Sequence, residues 1–169
     1  AENTGSVNLT QIAKALSLSK ATCTRAINDL SASGLISQTA EGTNKWITTA
    51  YTKSELLEKA YGRLKTPVDR ILYVKGTAQI EHPIASGIRA LARQSMIGVN
   101  DQDGAIAIFK KEAAKIPAED ICTKQYFEDF GGAVIEVWSY DPTILERDGC
   151  VDDISLLLSM DNDPNERVQ

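Results

Sequence analysis

Lys20, Ala21, Thr22, Thr24, Arg25 and Asn28 are the residues of this chain whose types and spacing suit a definite chemistry. They lie within SKATCTRAINDL, where Cys23, Ala26, Ile27 and Leu30 recur at helical spacing and turn one stripe inward. The six remaining positions face outward. All are small or able to donate hydrogen bonds, and none is acidic. That chemistry suits base edges and phosphates. Arginine forks onto guanine O6 and N7, asparagine spans adenine N6 and N7, and threonine meets a thymine methyl or a phosphate. Lys20, near the helix start, suits a phosphate. The plain alternative is an ordinary surface helix of a small bundle.

The elements around this helix favour the first reading. Leu9, Ile12, Ala13 and Leu16 fall at i, i+3, i+4 and i+7 and predict a preceding helix. Leu18 is the one large apolar residue of the short turn, and Ser19 is a good N-cap for the second helix. Gly34 ends that helix, because glycine takes a left-handed C′ conformation without a Cβ penalty. Residues 35–39 (LISQT) and 45–49 (KWITT) are rich in strand formers, with AEGTN as a loop of about five residues between them. Helix, turn, helix and hairpin together describe a winged helix, a module whose second helix enters the major groove of DNA. In the wing, Lys45 suits a phosphate or the minor groove, while Glu41 argues against a strongly basic tip. Trp46 reads as an anchor of the hairpin core rather than a base-stacking residue.

The run from LTQIAKALSLSKATCTRAINDLSASGLI through KWITT resembles the winged-helix transcription regulators of the MarR type. The likeness covers about 45 of the 169 residues. It implies double-stranded DNA as partner, and a homodimer is expected because two half-sites are how such modules reach useful affinity. Such domains have one more helix before the motif. AENTGS reads as the tail of that helix and its loop, so the chain is expected to begin inside a longer domain. DNDPNERVQ likewise reads as the start of a further helix that is cut short. The long flanking helices by which MarR-type proteins dimerise are not evident.

Charge divides the chain. Its net charge of −5 counts against a DNA binder, but residues 1–75 hold 10 Lys/Arg and 6 Asp/Glu, net +4, and residues 76–169 hold 8 and 17, net −9. A basic domain over residues 1–66 and an acidic one over 67–169 are expected. TKSELLEKAYGRL (52–64) predicts an amphipathic helix with Thr52 as N-cap and Glu55 at the capping-box position, stopped by Thr66-Pro67. Beyond it, residues 70–75, 105–111 and 133–140 read as strands, and 85–95 and 151–160 as helices, with Ile88, Leu91, Ala92 and Ser95 at helical spacing. The fold class is α+β: a winged helix-turn-helix followed by a small mixed α/β domain of about three strands. More faintly, LKTPV, SGIRAL and VIEVWSYDP with VDDISLLLS resemble the portion after the winged helix in abortive-infection type antitoxin regulators. That likeness implies a prokaryotic repressor that also neutralises a toxin through the acidic domain. A third reading is a winged helix that binds protein.

Catalytic sets are thin, and the chain is expected not to be an enzyme. His82 is the single histidine and sits beside Pro83. Asp101 with Asp103, and Asp161 with Asp163, suggest hard-cation ligands, yet neither stretch continues into an EF-hand loop. Glu136 with Lys110 and Lys111 on neighbouring strands is similar to the acid-plus-lysine grouping of some nucleases, but no lysine follows the acid in IEVW. Gly131-Gly132 lacks a phosphate-loop lysine. No cofactor or metal is expected. Cys23, Cys122 and Cys150 are too widely spaced for a disulfide framework or a zinc site and read as reduced thiols of a cytoplasmic protein. No apolar run approaches the about 20 residues of a membrane span.

Overall fold

The computed structural model describes residues 6–42, 44–76, 78–95 and 104–160. The chain divides into two compact units, Ala1–Leu64 and Lys65–Gln169. Asp101, Asp103, Asp161 and Asp163 lie outside the described residues, as do Ala1 to Gly5.

In the first unit the order is β1 (Val7–Asn8), α1 (Leu9–Ala15), α2 (Lys20–Ala32), β2 (Ser37–Glu41), β3 (Asn44–Thr48) and α3 (Lys53–Tyr61). Asn8 caps α1 by accepting from the Thr10 N–H, and the Gln11 side chain returns a bond to the Asn8 N–H. Strand β1, which the periodicity of the sequence does not reveal, pairs antiparallel with β3, so the sheet runs β1-β3-β2. Two residues are too few to show an alternation. Ala13, Cys23, Ile27 and Ile47 form the core, with Leu9, Ile12 and Ile36 packed against it.

Three sequence expectations change here. The hairpin strands run on to Glu41 and Asn44, which leaves a two-residue loop where five residues were expected. Gly42 enters that loop at φ +61°, a conformation that suits a tight hairpin. Helix α3 keeps its Thr52–Glu55 capping box but ends at Tyr61, with Gly62 as C-cap, well before Thr66-Pro67. Ala26 and Leu30 were expected inward, yet Ala26 is exposed and Leu30 is 37% exposed; Cys23 and Ile27 alone carry the buried stripe of α2. The core is small, and these two side chains fill the part that α2 reaches.

The second unit holds β4 (Val68–Val74), β5 (Ile84–Ala85), α4 (Gly87–Ser95), β6 (Ala105–Phe109), α5 (Lys110–Ala113), β7 (Ile121–Cys122), α6 (Lys124–Phe130), β8 (Ala133–Trp138) and α7 (Asp153–Met160), with 3₁₀ turns at Ala118–Asp120 and Pro142–Ile144. Its sheet has five strands in the order β5-β6-β8-β4-β7. The three long strands are those the sequence predicts; the short β5 and β7 are added at the edges. Strand β6 runs parallel to β8, and β4 runs antiparallel to it. Alternate residues divide between two faces. Ala107 and Trp138 join Ala90 of α4 and Leu156 of α7 on one face, while Ile106, Ile108, Ile135 and Val137 join Val74 and Ala113 on the other. Lys110 and Lys111 begin α5 instead of ending a strand. Gly132 needs no side chain for a physical reason: a Cβ there would stand 2.1 Å from the Val74 carbonyl oxygen.

The Ile88, Leu91, Ala92 and Ser95 spacing of α4 lies in a helix, but Ile88 is 43% and Leu91 37% exposed, and the fully buried residue is Ala90. Among the described residues no helix is long and apolar enough to cross a membrane. Cys23 and Cys150 are buried, and Cys122 is half-buried.

Candidate nucleic-acid interface

Helix α2 is built to be presented. Ser19 caps it through its Oγ, which accepts from the Thr22 N–H at 3.1 Å. The turn before it is closed by two bonds, Leu18 N–H to the Ala13 carbonyl and Ser17 N–H to that of Lys14. This leaves Ser17 at φ +50°, a left-handed position where glycine is usual. At its other end Leu35 N–H reaches the Leu30 carbonyl and Gly34 N–H that of Ser31, with Gly34 at φ +72°. Both turns are Schellman closures, and both fix where the helix begins and stops.

The outward side chains are in three states. Lys20, Arg25 and Lys45 are exposed, and their side chains make no hydrogen bond or ion pair among the described residues. Their charges are available to a ligand. Thr22 and Thr24 are committed within the helix: the Thr22 hydroxyl lies 2.8 Å from Ser19 Oγ, and the Thr24 hydroxyl donates to the Lys20 carbonyl at 2.8 Å. Their methyl groups remain as contacts, Thr24 being half-buried. Asn28 is exposed, and its Oδ1 accepts from Gln38 Nε2 at 3.3 Å. Ala21 is exposed and small enough to let a base edge approach.

The structure therefore gathers Lys20, Ala21, Thr22, Thr24, Arg25 and Asn28 on one helix. It sets Lys45 apart on β3, paired with Ala40 beside the wing tip. Two residues escape a reading of the sequence alone. Asp29 is exposed one turn beyond Arg25, so the outer surface of α2 is not free of acid; its first two turns, Lys20 to Ala26, are. Gln38 belongs to the same surface because β2 passes beside α2, a long-range pairing that no local spacing encodes.

The second unit offers no comparable cluster among the described residues. Glu136 is buried and accepts at Oε2 from Ser86 Oγ at 2.7 Å and from Trp138 Nε1 at 2.9 Å. It is a structural acceptor that satisfies two buried donors. Lys110 and Lys111, on the first turn of α5, make no ion pair with it, so the nuclease-like grouping does not assemble. His82 is exposed at φ +52° and joins Glu81, Phe109, Glu112 and Asp141 around a cleft beside the C-terminal end of β6. Among the described residues no group of three metal-ligating side chains converges.

No curated protein and no solved structure matches the chain. Residues 2–37 match the family model described as winged helix-turn-helix DNA-binding, a span that takes in α1, the turn and the whole of α2. The first unit, two helices about a short turn followed by a hairpin, has the architecture that this description names.

Proposed function

We propose that the chain is a sequence-specific DNA-binding transcriptional regulator of the MarR-like kind, with α2 as its recognition helix. The observation that carries this reading is Arg25. Among the described residues it stands exposed and unpartnered on a helix capped at both ends, and no acidic residue occupies the first two turns around it. A guanidinium held this way can fork onto guanine O6 and N7, and an exposed Lys20 one turn earlier can take a phosphate. The role is binding rather than catalysis. The net charge of −9 over residues 76–169 suits the second unit poorly to a duplex and leaves the contact to the first. Self-association belongs to the same proposal, since two-fold symmetric operators are read by two copies.

The test is direct. Selection from a random duplex library with the full chain should enrich one motif, and the logarithm of the affinity for it should fall linearly with the logarithm of salt. Absence of binding to any duplex at low salt would overturn the reading, because non-specific phosphate contacts alone should register there.

A further inference from the structure

Gln38, the second residue of β2, turns its amide toward the recognition helix. Its Nε2 lies 3.3 Å from Asn28 Oδ1 and 3.5 Å from the Ile27 carbonyl oxygen. The Ile27 carbonyl can only accept, so the amide of Gln38 must present its NH₂ end there; reversed, it would set Oε1 against a carbonyl oxygen. Facing an NH₂ group, Asn28 must present its own acceptor, and Oδ1 is the atom turned to the wing. The Nδ2 of the exposed Asn28 side chain makes no hydrogen bond among the described residues and is left as a donor.

We infer that Gln38 is a specificity-positioning residue, which makes Asn28 a hydrogen-bond donor toward the base it meets. The inference rests on the DNA-binding reading above. It revises the base expected for Asn28. The bidentate contact to adenine needs Oδ1 to accept from N6 while Nδ2 donates to N7. Gln38 takes one lone pair of Oδ1 and draws that atom toward the wing, so Nδ2 leads toward the base, and the edge that suits a single donor is one carrying acceptors alone. In the major groove that edge is guanine, through O6 and N7. Gln38 touches no base in this arrangement. It acts through Asn28, and it couples the first wing strand to the register of the recognition helix.

The test uses the full chain and base preference rather than affinity alone. Selected duplexes first locate the position whose preference Asn28→Ala abolishes. There the wild-type chain should prefer guanine to adenine by about fivefold, the factor that about 1 kcal/mol corresponds to. Gln38→Glu removes the donor and leaves only acceptors, so the Asn28 amide should reverse, turn Oδ1 outward and shift preference to adenine or cytosine, whose amino groups donate. Gln38→Ala should flatten the preference at this position while other positions change by less than about twofold. Thermal unfolding of both variants checks that the fold is kept. A guanine preference retained in Gln38→Glu, or an Asn28→Ala variant with no position altered, overturns the inference while leaving DNA binding intact. Failure of the wild-type chain to bind any duplex overturns the functional reading and this inference together.

Discussion

Replacing Arg25 by alanine is the sharpest test of what α2 does, because the structure separates its effect on binding from its effect on folding. The side chain is exposed and has no partner among the described residues. Its removal strands no buried group and breaks no ion pair, and alanine is as good a helix former as arginine. Stability should therefore change by no more than about 0.5 kcal/mol, the range of ordinary surface substitutions. The effect on DNA binding should be larger. A bidentate arginine–guanine pair discriminates by about 1–3 kcal/mol, which is about 5- to 150-fold in affinity for the selected duplex. Fluorescence anisotropy at fixed salt, with the selected duplex and a scrambled one, reads both affinities. Arg25→Ala should weaken the selected duplex by that factor and the scrambled one by much less. Arg25→Lys separates shape from charge: a point charge retains phosphate attraction but not the fork, so it should restore non-specific affinity without restoring discrimination. Equal losses on both duplexes would show that Arg25 touches backbone only, and unchanged binding would remove it from the interface.

Four further outcomes follow from particular residues. Lys20→Ala should lower the slope of log affinity against log salt by about 0.9, the value of one phosphate contact, without altering base preference; an unchanged slope would place Lys20 away from the backbone. Ser17 sits at φ +50°, so Ser17→Gly should raise the unfolding free energy of the first unit by about 0.5–1 kcal/mol, and a loss in denaturant titration would contradict the Schellman geometry. Glu136→Leu should destabilise the second unit by about 1–3 kcal/mol for each of the two buried donors it abandons, with denaturant midpoint as the readout and a neutral result refuting the network. Tyr140 is held above the ordinary phenol value of 10.0, first by burial, with Asp152 adding to the shift and the Ser155 hydrogen bond opposing it. The native state thus keeps the proton after the unfolded chain has released it. The stabilisation is full below about pH 10 and is lost as pH rises through the native value. Tyr140→Phe should flatten that alkaline decline in urea unfolding; the same slope in both proteins would exclude Tyr140 as its cause.

Caps and turns were the most legible features of the sequence. Ser19, the Thr52–Glu55 box and Gly34 act within four residues of their partners, and all three are found as read. The left-handed turn at Ser17 is not legible, because a serine there carries no mark that glycine would. Strands β1, β5 and β7 have two residues each, too few to show an alternation, and helix α6 has seven residues with none buried, so no core stripe marks it.

The candidate site divides along the same line. Spacing alone put Lys20, Arg25 and Asn28 on one helix, because a period of 3.6 residues is a property of the local chain. Exposure was another matter. Ala26 and Leu30 have the right period for a core, yet only tertiary packing decides how wide a stripe that core can cover, and here Cys23 and Ile27 fill it. The pairing of Gln38 with Asn28 lies further still from any local rule. It joins residues ten positions apart in different elements, and it exists because the hairpin folds back beside the helix. The sequence thus determined which element carries the donors. The tertiary structure decided which donors are free and which way the Asn28 amide faces, since hydrogen bonds between elements depend on packing that no local period records.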